Sequence, residues 1–188
     1  MTEGGDSSDG NPISAVAAEP EEPGPITLEV VHDDGAWPGL GKYEARAAAA
    51  ARAVGLHGRL ESGPLEAALA LSSDARVQAM NRDYRGMDKP TNVLSFPTGE
   101  SQLPPEGARW LGDIVIAEET LIREAQERGV PTLDHFSHLV VHGLMHLIGY
   151  DHETDDDARD MEARETAILA GLGIADPYHE EETVGPTG

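Results

Sequence analysis

Three histidines follow one another at short intervals, His142, His146 and His152, and imidazole nitrogens are common metal ligands. On a helix, a spacing of four residues turns by about 40° and rises by about 6 Å, so the rings of His142 and His146 leave the same face. Gly149 predicts the end of that helix, because glycine readily adopts the left-handed conformation found there. His152 would then return from the next loop. Three protein ligands leave one tetrahedral position open, which is typical of a catalytic zinc site.

A histidine pair at this spacing is weak evidence by itself, because most such pairs are ordinary core or surface residues. The surrounding sequence favours a metal, since it is almost entirely apolar and an imidazole without a partner is costly to bury there. The apolar neighbours are Phe136, Leu139, Val140, Val141, Leu144, Met145, Leu147 and Ile148. His138, one turn before His142, is either a packed helix residue, which we favour, or a group that orients a ligand or relays a proton.

The residue after His142 is Gly143, whereas zinc proteases of the H-E-x-x-H type have a glutamate there as general base. Peptide hydrolysis is therefore not expected. The glycine either leaves space beside the metal for a substrate or allows close packing, and the sequence does not distinguish these two roles. No other general base is evident from the sequence.

Two cations precede an apolar strand in a turn rich in glycine and proline, residues 84–91. An arginine can offer two donors to phosphoryl oxygens, on which negative charge develops during phosphodiester hydrolysis. Arg85 is the candidate for this catalytic role, and Lys89 is a candidate substrate-binding contact to phosphate. Exposed loop cations are more often merely solvated, and the sequence does not show that this loop faces the histidine helix.

These stretches resemble the YbeY family, bacterial endoribonucleases that act in ribosomal RNA maturation. Residues 142–152, 84–97 and 111–116 are similar to three signatures of that family, in the same order. The resemblance implies that His142, His146 and His152 bind one Zn²⁺ per chain and that Arg85 is required for activity. It also implies an α/β (α+β) fold, in which helices flank a small mixed β-sheet and the metal-site helix is like that of metzincin proteases.

The function we expect is that of a single-strand-preferring, metal-dependent endoribonuclease in ribosomal RNA processing and ribosome quality control. Its partners would be an RNA precursor and the ribosome or a ribosomal protein. The alternative is a non-catalytic, zinc-stabilised adaptor in ribosome assembly. The acidic composition favours that alternative, because an acidic surface suits a basic protein better than bare RNA.

The chain has 188 residues, a net charge of −22 and no cysteine, so a metal must be held by nitrogen and oxygen. Residues 1–24 and 176–188 hold 10 of the 35 acids and none of the 13 lysines and arginines. We expect a disordered acidic tail over residues 1–24, a single hydrolase domain over 25–174 and a flexible acidic tail over 175–188. No apolar run approaches ~20 residues, and the acidic N-terminus is unlike a secretory signal, which predicts a cytoplasmic protein without membrane spans.

Hydrophobic patterns and turn residues predict four strands and five helices. The strands are expected at residues 26–31, 65–71, 92–97 and 112–117, and the helices at 43–54, 74–84, 118–128, 132–148 and 154–170. Residues 98–109, with two prolines, are expected to form a mobile flap. The acid run at 155–157 is most simply a helix N-terminus, with a second carboxylate metal site as a minor alternative.

Overall fold

The computed structural model describes residues 26–57, 60, 63–98 and 107–179. The strands are β1 (Ile26–His32), β2 (Leu65–Ser72), β3 (Val93–Pro97) and β4 (Arg109–Ala117), and the helices are α1 (Leu40–His57), α2 (Asp74–Arg85), α3 (Glu118–Glu127), α4 (Thr132–Leu147) and α5 (Asp155–Gly171). The strands form a mixed sheet in the order β1-β2-β4-β3, in which β3 is an antiparallel edge strand. The predicted α/β fold with a small mixed sheet flanked by helices is confirmed.

The predicted elements differ from the observed ones mainly at two places. Helix α1 extends three residues further at each end than the expected 43–54, and β4 begins three residues earlier than expected. The backbone of β4 is already paired there, since Arg109 N donates to Pro64 O at 2.9 Å and Thr98 N donates to Leu111 O at 2.9 Å. Both partners come from elsewhere in the chain, so the local pattern could not reveal them. Most of the expected flap, residues 99–106, lies outside the described residues, as do the whole expected tail 1–24, residue 25 of the expected domain and residues 180–188 of the second expected tail.

The helix that carries the first two histidines, α4, is the central element of the core. Eleven of its residues are buried, because it packs against the sheet and against neighbouring helices on several sides. The alanines of α1 allow a close approach, with Ala47, Ala50 and Ala51 in the same core as Val140 and Leu144. Packing on several sides fixes the position of α4 relative to the sheet, and with it the positions of the His142 and His146 rings.

Gly143 faces the sheet rather than open space. A Cβ atom at this position would lie 2.9 Å from Ile114 Cγ2 and 3.0 Å from Ile114 Cδ1, both in the core. Ordinary carbon contacts are about 3.5–4.0 Å, so any side chain would either displace the Ile114 side chain or separate α4 from β4. Gly143 therefore allows close packing, and the glutamate of a zinc protease would meet the same clash at this position.

The chain after α5 folds back onto the domain over residues 174–179, of which 175–179 belong to the expected C-terminal tail. Ile174 is buried and its N donates to Leu169 O at 2.9 Å.

No helix in the described part of the chain combines the length and the apolar character needed to cross a membrane.

Candidate metal centre and cleft

The C-terminus of α4 has the turn that the sequence predicts. Gly149 has a φ of 92°, Gly149 N donates to His146 O at 3.1 Å, and Tyr150 N donates to Met145 O at 3.0 Å. These two hydrogen bonds define a Schellman motif, which reverses the chain direction directly after a helix. The reversal brings His152 back towards the histidines of the helix.

The three histidines converge in space. One ring nitrogen from each of His142, His146 and His152 lies within 4.8 Å of the others, and the two Nε2 atoms of His142 and His146 are 3.0 Å apart. No further group of three potential ligands is found in the described part of the chain, so residues 155–157 show no second metal site there. They form the first turn of α5, whose N-cap is Thr154.

The other ring nitrogens of the helix histidines have acceptors as partners. His142 Nδ1 donates to Glu165 Oε1 at 2.9 Å, and His146 Nδ1 donates to the backbone oxygen of Tyr150 at 3.0 Å. With the proton on Nδ1, a neutral imidazole has a lone pair on Nε2. Two lone pairs facing each other at 3.0 Å repel unless they share a cation. The group therefore fits a metal ion.

The pKa of His146 is lowered, first by burial and then by the nearby His142 and His152. A lowered pKa keeps this imidazole neutral at neutral pH, which is the state that binds a metal. The same turn that ends α4 supplies the carbonyl group of Tyr150 that holds the ring. The helix end and the tautomer of His146 thus follow from one local motif.

Glu165 of α5 is a site residue that the sequence reasoning missed. Its side chain is 0% exposed, and it occupies an inward-facing position of α5 together with Met161, Ile168 and Leu169. An acid in an otherwise apolar helix stripe is the signal that could have identified it. Burial by itself would raise the pKa of Glu165, but hydrogen bonds from His138, His142 and Tyr178 lower the pKa to about 2, so the group is ionised.

His138 is packed in the core, as favoured from the sequence. It also contacts Glu165, the hydrogen-bond partner of His142. It is buried, and its Nε2 lies 3.3 Å from the Tyr178 hydroxyl and 3.5 Å from Glu165 Oε2. It does not line the cleft that opens beside the three histidines. His138 therefore helps to hold Glu165 and does not meet a substrate in that cleft.

A cleft of about 550 Å³ opens beside the histidines. Its lining includes His142, His146 and His152, Arg85 from the end of α2, and Val93, Ser95 and Pro97 of β3. α2 ends where Gly86 adopts a φ of 69°, which leaves Arg85 at the mouth of this cleft. The structure thus brings Arg85 together with the histidines, whereas Lys89 is exposed and does not line the cleft.

The guanidinium group of Arg85 has no hydrogen-bond or ion-pair partner among the residues that the structure describes. This is unusual in so acidic a chain, where arginines such as Arg46 and Arg76 pair with aspartates. The cleft, which Asp151 also lines, therefore combines three imidazole nitrogens that could hold a metal ion with an arginine that pairs with no carboxylate of the described residues. This arrangement is suited to a phosphate ester.

Comparison with known proteins agrees with this geometry. The family model described as Endoribonuclease YbeY matches residues 42–173, which include Arg85 and all three histidines. The chain belongs to the YbeY family. A Rhodospirillum rubrum protein named Endoribonuclease YbeY is 50% identical over 164 residues, covering 82% of each chain. A Rhodopseudomonas palustris protein of the same name is 43% identical over 180 residues, covering 95% of this chain and 94% of that one.

A solved structure supports the YbeY-type fold independently of close sequence similarity. The solution structure of the Thermotoga maritima protein TM1509 aligns with a TM-score of 0.55 at 22% identity, covering 82% of this chain and 100% of that one. At this identity the likeness concerns the fold alone. It shows that the fold as a whole has a counterpart in a distant protein.

Proposed function

We propose that the chain is an endoribonuclease that cleaves single-stranded RNA in a metal-dependent reaction, with ribosomal RNA precursors as substrates and ribosome quality control as its setting. Membership of the YbeY family, whose relatives are named endoribonucleases, supports the class of reaction. The observation that carries the proposal is that Arg85, unpaired among the described residues, lines the same cleft as three convergent imidazoles.

We propose one Zn²⁺ per chain, held by His142, His146 and His152. A set of three nitrogen donors with one open position suits zinc in a catalytic site. When bound, the ion would act as a Lewis acid towards water or a phosphoryl oxygen. The remaining work falls to the protein. Glu165 and the backbone oxygen of Tyr150 hold the rings in the tautomer that presents Nε2.

The proposed role of Arg85 is to donate hydrogen bonds to the phosphoryl oxygens as their negative charge grows. Its guanidinium group is free to do so, because no carboxylate of the described chain engages it. Lys89 lies four residues beyond the end of α2 and outside the cleft wall. We propose that Lys89 contacts a phosphate further along the same strand.

A preference for single strands is supported by the aromatic residue next to Arg85. The side chain of Tyr84 is 75% exposed, and its ring packs edge-on against Phe96 with the centroids 5.3 Å apart. An exposed aromatic ring that a neighbouring ring holds in place can stack on an unpaired base, and such stacking contributes about 1–3 kcal/mol per base.

Replacing Tyr84 with Ala should weaken binding of single-stranded RNA about tenfold or more, whereas Phe should retain the binding. Equal affinity of all three proteins in a filter-binding assay would refute this role.

The ribosome or a ribosomal protein is the proposed partner, and the cytoplasm the proposed location, because that is where a ribosomal RNA precursor would be met. The net charge of −22 supports contact with a basic protein, since loose binding to RNA backbone would be disfavoured. We further propose that residues 25–174 form the hydrolase domain, flanked by acidic tails at residues 1–24 and 175–188.

The metal is tested by elemental analysis of the purified protein beside His146→Ala. One equivalent of zinc in the wild type and little in the variant is the expected result. Equal traces in both proteins would remove the site, and a different divalent ion in the wild type would correct the choice of metal.

The catalytic reading is tested against the adaptor by replacing Arg85 with Ala. Cleavage of a single-stranded RNA should fall by about 10²–10³, the usual loss when one donor to a developing oxyanion is removed. Arg82→Ala is the matched control, because Arg82 lies in the same last helical turn but pairs with Asp83. Unchanged cleavage in Arg85→Ala, with normal folding and metal content, would leave the adaptor as the better account.

A further inference from the structure

Residues 174–178, here called the C-terminal strap, follow α5 and are held against the domain at several points. Asp176 Oδ1 accepts hydrogen bonds from the Thr166 hydroxyl at 3.1 Å and from Tyr178 N at 2.9 Å. The Arg128 guanidinium donates to the backbone oxygen of Pro177. The strap begins directly after the stretch that the family model matches, which ends at residue 173. Its anchoring shows that it has a defined position relative to α5.

Tyr178 is 37% exposed, and its hydroxyl reaches from this strap to the buried Glu165 and His138. Its hydroxyl donates to Glu165 Oε2, and its ring stands edge-on to His138 with the centroids 5.5 Å apart at 85°. The other carboxylate oxygen, Glu165 Oε1, accepts from His142 Nδ1. The two oxygens of one buried carboxylate therefore join the strap to a candidate metal ligand.

The hydroxyl group of Tyr178 is important because a buried carboxylate keeps its charge and orientation only while hydrogen-bond donors satisfy both of its oxygens. Apart from Tyr178, Glu165 Oε2 is approached only by His138 Nε2, at 3.5 Å, among the described residues. This distance is long for a hydrogen bond. Without Tyr178, this buried oxygen would keep only the long hydrogen bond from His138, which is costly, so the carboxylate would turn to share the remaining donors. Turning it would relax the hydrogen bond that holds the His142 ring.

We propose that Tyr178 is a positioning residue for the metal centre, acting through Glu165 to keep His142 in the tautomer and orientation that present Nε2. The inference rests on the proposed function only in taking His142 as a metal ligand. Tyr178 meets neither the substrate cleft nor the metal. Its effect travels over two hydrogen bonds, from hydroxyl to carboxylate and from carboxylate to imidazole.

The test is Tyr178→Phe in the full chain, which removes the hydroxyl and leaves the ring against His138. Competition with a chromophoric chelator measures Zn²⁺ affinity, which should fall about 3- to 10-fold. That loss is smaller than the roughly 10- to 100-fold expected when the direct partner is changed in Glu165→Gln. Tyr43→Phe is the matched control, since Tyr43 is a buried tyrosine in the aromatic cluster with Trp37.

A second readout needs no metal. Long-range ¹H–¹⁵N NMR of the metal-free protein reports the tautomer of each histidine. The wild type and Tyr43→Phe should show His142 protonated at Nδ1 alone, and Tyr178→Phe should show a mixture. If Tyr178→Phe does not fold, Thr166→Val, which releases one anchor of the strap, should shift both readouts in the same direction by a smaller amount.

Wild-type affinity and a single His142 tautomer in Tyr178→Phe would overturn the inference. Equal loss of affinity in Tyr178→Phe and Tyr43→Phe would also overturn it, because the effect would then be general loosening. If the wild type binds no metal, the proposed function fails, whereas the tautomer measurement still decides the role of Tyr178.

Discussion

Replacing Gly143 with Ala tests the packing of the histidine helix on the sheet. The new methyl group would lie 2.9 Å from Ile114 Cγ2 and 3.0 Å from Ile114 Cδ1. Neither atom can move freely, because Ile114 is 0% exposed in the middle of the core. The substitution must therefore separate α4 from β4 or force the isoleucine out of its rotamer.

Two opposing effects set the size of the change. Overpacking a core typically costs about 1–3 kcal/mol. Alanine is a better helix former than glycine by about 1 kcal/mol, which offsets part of that cost. We expect Gly143→Ala to lower the free energy of unfolding by about 1 kcal/mol. For a domain of this size, this corresponds to a fall in Tm of about 2–4 °C.

The assay is urea unfolding followed by circular dichroism, with Gly171→Ala as the matched control. Gly171 is also helical, but a Cβ there would meet nothing within 4 Å, so this variant should be stabilised by about 0.5 kcal/mol. In an Ile114→Ala background the clash is absent, and Gly143→Ala should then become stabilising. If Gly143→Ala stabilises the wild type as Gly171→Ala does, the packing argument is wrong and the glycine must serve the cleft instead.

Two further predictions concern the helix end and pH. Gly149→Ala should cost about 1 kcal/mol, because φ is 92° there, and should weaken Zn²⁺ binding by displacing the carbonyl group that holds His146; unchanged chelator competition would contradict this. Burial raises the pKa of Glu124, but hydrogen bonds from His135 and Asn92 outweigh it and lower the pKa below the ordinary 4.5. Because the folded pKa is depressed, this stabilisation is present above about pH 5 and is lost as the pH falls through the folded value. The difference in unfolding free energy between the wild type and Glu124→Gln should therefore shrink below about pH 4, and a constant difference would refute it.

The sequence by itself determined the features that depend on neighbours along the chain. The spacing of His142 and His146 put both rings on one face of α4, and Gly149 ended the helix in the expected left-handed conformation. The helices and strands were predictable for the same reason, since hydrophobic period, caps and turn residues act over a few residues. Even the candidate role of Arg85 came from residue type and loop position.

Only the tertiary structure decided which distant groups meet at the site. Glu165 lies 23 residues from His142 in the chain, yet its oxygen is 2.9 Å from His142 Nδ1. Arg85 reaches the cleft because β3 adds to the sheet edge beside α4, and Gly143 is required because β4 carries Ile114 beneath it. Such contacts depend on how whole elements pack across the core. A local pattern sets the face that a side chain leaves, and packing sets what that face meets.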